Sequence, residues 1–185
     1  MKRPTLPALL CTLAATLLVS GCAMERAFLK KDYSAAGTGL AVVFPFENLS
    51  TNAGGGDVAT ADFITELRRA SLFPVTEAAL LARPAANAAQ PVPDLATLPM
   101  DHKFELAKAA NADAVIIGKV TEFKYKSGLG EEPVVGLNVQ MIKVATGEVV
   151  WNGSISVTGG LFSFAEPSLN RYAQIAARRL VCSMK

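Results

Sequence analysis

Two alternating runs that flank a tight turn constrain the fold of this chain most. Apolar residues alternate with polar or small ones along residues 135–141 and again along residues 149–157. Alternation with a period of two is typical of β-strands with one wet face. Ala145-Thr146-Gly147, between the two runs, has the length and composition of a hairpin turn. The sequence therefore predicts an antiparallel β-hairpin.

Three more segments have strand patterns. Residues 40–46 (LAVVFPF) form a continuous apolar run, which is typical of a strand buried on both faces. Residues 72–75 are a shorter candidate, with a proline that suits a strand end or a sheet edge. Residues 113–126 include the buried run AVII near their start, and Val120 and Phe123 differ in parity. A β-bulge is therefore expected between Val120 and Phe123.

Four helices complete the pattern. Asp57 is the expected N-cap of the first and Thr76 of the second, and Asp101 begins the third. The terminal helix starts near Pro167 and carries apolar residues at three- and four-residue spacing. The predicted helices cover residues 57–70, 76–81, 101–110 and 167–184. The order of elements predicts an α/β fold: a single-domain sandwich whose helices cover a mixed sheet of about five strands, with a C-terminal strand hairpin and an amphipathic terminal helix.

The N-terminus has the pattern of a bacterial lipoprotein signal. A basic pair precedes the apolar residues 9–19, which are too few to span a bilayer stably. Residues 19–22 (VSGC) resemble the lipobox of lipoprotein precursors, whose cysteine thiol receives a diacylglycerol. Residues 1–21 are therefore expected to be a signal peptide, and Cys22 the lipidated N-terminus of the mature protein. The alternative is an ordinary secreted protein with a chance cysteine at this place.

The residues after Cys22 indicate where the protein is held. Position 23 is alanine rather than aspartate, which by resemblance to lipoprotein sorting favours the outer membrane. Residues 22–38 are predicted to be a lipidated tether and residues 39–185 the folded domain. Even fully extended, this tether reaches only about 55 Å, so the domain is expected to stay close to its membrane. Lipid chains contribute about 0.8 kcal/mol per buried methylene, so several of them hold a protein there essentially permanently.

The mature chain is electrically balanced and poor in cysteine. The full sequence has 18 basic and 16 acidic residues, and Lys2 and Arg3 leave with the signal. A near-neutral domain argues against nucleic acid as a partner, because nucleic-acid binding requires clustered positive charge. Cys11 leaves with the signal and Cys22 is acylated, so no internal disulfide is possible. Cys182 is then either a small apolar residue near a helix end or a partner in an intermolecular bridge.

The sequence contains no recognisable catalytic, metal or cofactor pattern. The single histidine, His102, lies between Asp101 and Lys103 at a polar helix start, which is typical of a solvated surface residue. No cluster of His, Cys, Asp and Glu has metal-ligand spacing. The glycine run at residues 54–56 lacks the lysine and Ser/Thr of a P-loop, so a flexible turn is expected rather than a phosphate site. The chain is therefore predicted not to be an enzyme.

Two loops are candidates for contacts. Leu161, Phe162 and Phe164 are large apolar side chains in a segment that links a strand to a helix. They either fold back over the core or contact the membrane or a neighbouring subunit. Glu131 and Glu132 form an acidic loop tip, which is either a solvated turn or a contact for a cationic ligand.

Several segments together resemble a known group of proteins. The first three are residues 42–50 (VVFPFENLS), 112–123 (ADAVIIGKVTEF) and 145–151 (ATGEVVW). Their combination is similar to the superfamily of periplasmic lipoproteins that includes the curli secretion protein CsgG, the penicillin-binding-protein activator LpoB and the N-terminal domain of TolB. Within that group, residues 125–137 (YKSGLGEEPVVGL) resemble a hairpin of the PelC family, outer-membrane lipoproteins of Pel exopolysaccharide export. The similarity spans nearly the whole mature domain and implies its fold more strongly than its function.

The PelC resemblance implies a ring-forming protein, dodecameric in the family, beneath the outer membrane. Such a ring assists the passage of a cationic polysaccharide towards an outer-membrane barrel, and acidic side chains facing its axis attract the polymer through their summed field. An aromatic residue in a membrane-facing loop helps to seat the ring, and Phe162 and Phe164 are the candidates here. The candidate polymer contacts are Glu131, Glu132, Asp94 and Asp101.

Physical arguments rank the other relatives lower. A curli-type pore needs extra strands of about 9 to 11 residues to cross the bilayer, and none remain once the core strands are assigned. An LpoB-like activator of a penicillin-binding protein must reach the inner membrane from the outer one, and a short tether suits that poorly. Activation of peptidoglycan synthesis is therefore the second hypothesis. A periplasmic hydrolase is ranked third, because the sequence contains no visible set of catalytic residues.

Overall fold

A computed structural model describes residues 23–82, 94–127, 131–159 and 168–185. Within these ranges the chain forms seven strands, four helices and a short 3-10 turn at Ala35–Gly37. The strands are β1 (Ala23–Leu29), β2 (Ala41–Val43), β3 (Glu47–Asn48), β4 (Val75–Glu77), β5 (Ala114–Ser127), β6 (Glu131–Lys143) and β7 (Val149–Thr158). The helices are α1 (Gly55–Ala70), α2 (Ala78–Leu81), α3 (Met100–Ala109) and α4 (Leu169–Cys182).

The strands form one mixed sheet in the order β1-β7-β6-β5-β2-β4, and β3 also pairs with β5. β5, β6, β7 and β1 are antiparallel neighbours, whereas β2 and β3 run parallel to β5, and β4 runs parallel to β2. Helices α1 and α4 pack on one face, and α2 and α3 lie over part of the other. This arrangement confirms the predicted α/β sandwich with a mixed sheet. β1 and β3 are the two strands that the sequence pattern did not reveal.

The larger core lies between the sheet and helices α1 and α4. Trp151 of β7 is fully buried within it. The Phe63 ring of α1 lies 6.5 Å from the Trp151 ring and 5.4 Å from the Phe46 ring, centroid to centroid. Leu180 and three buried alanines of α4 close the core from outside. Small residues on α4 let this helix approach α1 and the sheet closely. The predicted amphipathic helix therefore covers the larger core.

The opposite face of the sheet has a smaller core and a wide accessible area. Beneath α2 and α3 lie Val42, Phe44 and Val115, packed with Ala107 of α3. Over β6, β7 and β1 no described helix covers this face, and most of its side chains there are polar. We call this area the open face. Its described side chains include Met24, Arg26, Phe28, Lys119, Glu122, Lys124, Lys126, Asn138, Gln140, Asn152, Ser154 and Ser156.

The hairpin and the bulge that the sequence predicts are both confirmed. β6 and β7 are joined by a turn in which Gly147 has a φ of 69°, a left-handed conformation that glycine adopts easily. The Gly147 N–H donates to the Lys143 carbonyl at 2.8 Å, and the Lys143 N–H donates to the Glu148 carbonyl at 2.9 Å. On β5 the pairing register with β6 shifts between Val120 and Glu122, which is the expected bulge.

The structure differs from the predicted tether at the N-terminal end. Ala23 to Leu29 are not a free segment but an edge strand, paired with β7 from Ala23 opposite Val157 to Leu29 opposite Trp151. Most residues of this segment, AMERAFL, favour helices or loops over strands, so local preference gave no strand signal. Pairing with the exposed side of β7 decides its conformation instead.

The helix starts also differ by a few residues. α1 begins after Gly54, and Asp57 lies in its first turn instead of capping it. An acidic residue there still interacts favourably with the positive end of the helix dipole. α2 follows Glu77 and not Thr76, and α3 follows Pro99. Shifts of this size are expected, because cap positions are not determined by apolar periodicity.

Candidate functional site

One end of the sheet carries Glu131 and Glu132 and the described residues that adjoin other candidate positions. β1 starts there with Ala23, the β5–β6 connection leaves from Ser127 and returns at Glu131, and β7 ends there with Thr158. The shared register follows from the pairings, since Val157 of β7 lies opposite Ala23 on one side and opposite Val135 on the other. We call this end of the sheet the anchor end. The predicted lipid acceptor, Cys22, directly precedes Ala23 and lies outside the described residues.

The apolar segment that follows β7 leaves from the anchor end. Leu161, Phe162 and Phe164 lie outside the described residues, and Gly159 is the last described residue before them. The Gly159 N–H donates to the Pro133 carbonyl at 2.9 Å, and a Cβ at this position would come within 2.8 Å of the Pro133 side chain. Glycine thus lets β7 end tightly against Pro133, so the segment starts at the same end of the sheet as β1.

The two glutamates at the β5–β6 connection also lie at the anchor end. Glu131 is opposite Ser127 and Glu132 is opposite Lys126, on the first two positions of β6. Glu131 is exposed and Glu132 is half-buried. A cross-strand neighbour of opposite charge partly compensates Glu132, so Glu131 is the freer charge.

The other two acidic candidates lie elsewhere in the fold. Asp94 accepts hydrogen bonds from the Ala96 N–H and the Thr97 hydroxyl, both at 3.0 Å, and so holds the turn before α3. Asp101 is exposed in the first turn of α3. This helix contacts β5 near Lys119, about 23 Å along the strand from Lys126 at 3.3 Å per residue. The structure therefore separates the four predicted acidic residues into two pairs.

The sequence pattern did not single out Lys103, a buried lysine close to Asp94. The Lys103 ammonium donates to the Ala96 carbonyl at 2.9 Å and lies 5.5 Å from the centre of the Phe44 ring. Burial lowers the pKa of Lys103, while the charges of Glu47 and Asp94 oppose that shift. The signal in the sequence was its place four residues before the buried Ala107, on the inner face of α3. Its contacts hold the segment before α3 against the smaller core.

A small cavity of about 100 Å³ adjoins Lys103 at the margin of the open face. Lys119 forms an ion pair with Glu47 at 2.9 Å beside it, and Asn138 and Gln140 complete the polar lining. Each of the two lysines has a partner already, Lys103 a carbonyl and Lys119 a carboxylate. The cavity therefore has room for a few water molecules and offers no free nucleophile.

A recess lies at the opposite end of the sheet. It has a volume of about 390 Å³ and is lined by Lys30, Tyr33, Asp113 and Glu148 among others. The Lys30 ammonium pairs with the Glu148 carboxylate at 2.6 Å, and the Tyr33 and Thr38 hydroxyls share a hydrogen bond of 2.6 Å. Burial raises the pKa of Tyr33, which keeps its hydroxyl protonated. The polar groups that line the recess therefore form hydrogen bonds or ion pairs largely with one another.

Within the described residues no group of three or more His, Cys, Asp or Glu side chains could hold a metal ion. His102 is exposed on α3, as predicted. Cys182 ends α4 with an exposed thiol, in an open groove beside Glu25 and Arg178. Cys182 therefore lies near a helix end, as expected, and its thiol is accessible to solvent.

Among the helices in the described part of the chain, none combines the length and apolar character needed to cross a membrane.

Comparison with known proteins identifies folds of the same kind. No protein-family model matches the sequence, and neither does any curated protein. The PelC dodecamer from Paraburkholderia phytofirmans is 24% identical and has a TM-score of 0.65, over 88% of this chain and 97% of that one. Lipoprotein GNA1162 from Neisseria meningitidis is 20% identical with a TM-score of 0.56, over 78% and 99%. The C-terminal domain of LpoB from Salmonella enterica is 17% identical with a TM-score of 0.53, over 69% and 87%.

These likenesses establish the fold. The chain has the α/β fold of PelC and of the LpoB C-terminal domain, as the resemblance in sequence implied. One fold hosts many functions, so the fold alone does not determine the role of this chain.

Proposed function

We propose that this protein is a non-catalytic lipoprotein on the periplasmic face of the outer membrane, held there by lipid on Cys22. In this proposal it assists the export of a cationic biofilm exopolysaccharide as a homo-oligomeric ring that leads to an outer-membrane barrel. The observation that carries the proposal is the start of the sheet at Ala23, directly after the predicted lipid acceptor. The likeness to PelC, which forms a dodecamer, supports the oligomer.

The absence of a tether has a direct geometric consequence. A 16-residue segment after Cys22 would reach about 55 Å if it were extended. Because residues 23–29 belong to the sheet, that reach is not available to the domain as a whole. A lipid on Cys22 therefore holds the anchor end against the bilayer surface, and the work of the protein is expected there.

The apolar segment after β7 supports contact with the same membrane. Leu161, Phe162 and Phe164 follow Gly159, which lies at the anchor end beside Pro133. Aromatic and aliphatic side chains at a bilayer surface gain free energy by entering the interface. In the proposal these three residues seat each subunit on the membrane, together with the lipid.

The acidic residues support a cationic polymer as cargo. Glu131 and Glu132 lie at the anchor end, whereas Asp94 lies before α3 and Asp101 lies in its first turn, and this helix contacts β5 near Lys119. Repeated around a ring, the two pairs would form two acidic bands at different heights. Bands of this kind attract a polycation through their summed field without binding it tightly, which suits a polymer in transit.

An LpoB-like activator of a penicillin-binding protein is the second candidate. The likeness to the LpoB C-terminal domain favours it. The start of β1 directly after Cys22 argues against it, because an activator in the outer membrane must span the periplasm to its enzyme.

Deletion of the gene tests the two candidates against each other. The export role predicts that secreted polysaccharide falls to background while cell-wall crosslinking stays unchanged. Wild-type protein is expected to restore secretion, and the Cys22→Ala variant is not, because the domain would no longer be held at the membrane. Intact secretion in the deletion strain, with reduced crosslinking, would favour the activator instead.

Charge variants test the role of the anchor end. The double variant Glu131→Gln with Glu132→Gln is expected to lower secretion several-fold, because it removes one acidic band. Glu105→Gln, on the exposed side of α3, is the matched control and is expected to leave secretion unchanged. Equal secretion from the double variant and the control would remove the acidic residues from the proposal.

A further inference from the structure

The polar cavity beside Lys103 lies where α3 meets the sheet, at the margin of the open face. Its volume of about 100 Å³ leaves room for one small polar group. Four of the side chains that line it carry N–H groups: Lys103 of α3, Lys119 of β5, and Asn138 and Gln140 of β6. Hydrogen-bond donors from three elements of the fold therefore surround the same small space.

The sheet holds three of these side chains on one face. Asn138 lies directly opposite Lys119 in the β5–β6 pairing, and Gln140 lies two residues further along β6. Residues two apart on a strand share a face, so both amides lie on the open face next to Lys119. In the described chain neither amide has a hydrogen-bond partner. The two amides are therefore free to donate to a group that enters the cavity.

Lys103 adds a buried positive charge to the cavity. Only 7% of this residue is exposed, and in the described chain its ammonium group donates to the Ala96 carbonyl at 2.9 Å. An ammonium group has three N–H donors, so two remain after this bond. Burial removes the water that would otherwise bind them, which is costly unless other acceptors replace it. The ring of Phe44, 5.5 Å away, compensates the charge but accepts no ordinary hydrogen bond.

The charges around the cavity leave one ammonium group without an ion-pair partner. Glu47 is the acidic residue of the lining, and Lys119 holds its carboxylate at 2.9 Å. Burial lowers the pKa of Lys103, Glu47 and Asp94 oppose that shift, and the positive charge of Lys119 adds to it. The two ammonium groups are thus close enough to repel each other. A negative group between them would be attracted by both.

We propose that this cavity binds a carboxylate group, held by the buried ammonium of Lys103 and by the side-chain amides of Asn138 and Gln140. Lys119 completes the site at its rim, where it already pairs with Glu47. An ionised carboxylate only accepts hydrogen bonds, which matches a lining rich in N–H groups, and bonds between charged groups are the stronger ones. The site prefers the opposite charge to the polymer of the proposed function, so it goes beyond that function.

The size and charge of the site favour a carboxylate over a phosphate. Glu47 already compensates Lys119, so the ammonium of Lys103 is the charge that remains to be balanced. A carboxylate carries one negative charge, whereas a phosphate monoester carries about 1.5 to 2 near neutral pH and has three acceptor oxygens to satisfy. The carboxylate can belong to a free small acid or to an acidic side chain of a peptide, and the two sources share the same chemistry.

Titrations of the full-length chain in detergent micelles test the site and separate the two sources. The probes are sodium acetate and a hexaglutamate peptide, added at constant ionic strength, and NMR follows the side-chain amide signals. Both probes are expected to shift the signals of Asn138 and Gln140 saturably, while Asn170, exposed on α4, stays unchanged with acetate. Much tighter binding of the peptide would identify a side chain of a protein partner as the source. Equal affinities would identify a free acid.

Two variants that remove the same ion pair are expected to act in opposite directions. Glu47→Gln removes the competing carboxylate and is expected to tighten acetate binding about threefold. Lys119→Met removes an attracting charge and is expected to weaken it about threefold. Both variants lose the ion pair, so a difference between them reports the charge at the cavity and not a change in folding. Glu105→Gln and Lys108→Met, exposed on α3, are the matched controls and are expected to bind like the wild type.

Several results would overturn the carboxylate site. With either probe, shifts that stay linear in concentration or that miss Asn138 and Gln140 would show that no carboxylate enters the cavity. Equal acetate affinities of Glu47→Gln and Lys119→Met would show that the charges at its rim do not act on a bound anion. Each of these results would leave the export role untouched, because that role is tested by secretion in the deletion strain.

Discussion

The two faces of the sheet differ in how far helices cover them and in the polarity of their side chains. One face is covered along its length by α1 and α4, and its core surrounds the fully buried Trp151. The described helices cover the other face only near β2 and the first half of β5, and its small core includes Phe44 beside the ammonium group of Lys103. Over β7 and β1 that second face carries serines, asparagine and charged residues in contact with solvent.

The covered face therefore accounts for most of the stability of the fold, whereas the open face is available for contacts with other molecules. Burial of apolar area on the first face supplies most of the free energy of folding, because hydrophobic stabilisation grows with the area removed from water. The open face contributes little to that free energy. It can therefore take part in contacts between molecules without competing with the core.

The largest expected effect comes from the centre of the covered face. Trp151→Ala is expected to lower the free energy of unfolding by about 3–5 kcal/mol, through lost burial and the cavity left behind. Ser154→Ala, three residues along the same strand on the open face, is expected to change it by less than about 0.5 kcal/mol. Denaturant unfolding monitored by circular dichroism measures both. Similar losses from the two variants would mean that the two faces do not differ as described.

A smaller loss of stability is expected at Lys103, whose ammonium group lies against the smaller core of the second face. Lys103→Met keeps the length of the side chain but loses the hydrogen bond to the Ala96 carbonyl, and is expected to cost about 1–2 kcal/mol. The cost is moderate because burial of the ammonium is itself unfavourable, as its lowered pKa indicates. Lys108→Met, exposed on the same helix, is the control for a change of charge alone. An unchanged or raised stability of Lys103→Met would show that the lysine does not hold this face together.

The smallest expected effect lies on α1, the helix that covers the first face. Burial, together with the charge of Glu66, raises the pKa of Asp62, and one of its carboxylate oxygens has no hydrogen-bond partner in the described chain. The folded state therefore binds a proton more readily than the unfolded state, so stability falls as the pH rises through the interval between the two pKa values. Asp62→Ala is expected to raise the Tm by about 1–2 °C at pH 7 and by less below about pH 3, where the carboxyl is protonated in both states.

The control for this variant separates charge from helix preference. Thr65→Ala, exposed on the same helix, is expected to shift the Tm equally at both pH values. If the Tm gain from Asp62→Ala were also independent of pH, the carboxylate charge would have no part in it.

The sequence predicts the hairpin and the bulge in the middle of the sheet, but it does not predict the strands β1 and β3. Alternation placed the hairpin around Gly147 and the bulge after Val120, because period and parity are properties of the residues themselves. β1 was missed because residues 23–29 take their conformation from β7, a partner far away in the sequence. β3, with two residues, is too short to show any period.

The candidate site divides in the same way. Glu131 and Glu132 could be placed at a strand connection from the glycines and proline around them, and the structure puts them at the anchor end. That Asp94 and Asp101 lie in a separate region could not be predicted, because it depends on how α3 packs against β5. Lys103 was missed for a related reason, since charge type suggested solvent while its position on α3 led inward.

The place of β1 in the chain has a consequence for biogenesis. β1 is the first described segment to be synthesised, yet its partner residues on β7 follow 122 to 134 positions later, from Leu29 opposite Trp151 to Ala23 opposite Val157. Closing so long a loop is slow, so we expect the rest of the sheet to form while this strand still waits beside the maturing N-terminus. Processing of the precursor and completion of the sheet would then be successive events on neighbouring residues, and the segment that leaves the ribosome early would be the last to join the fold.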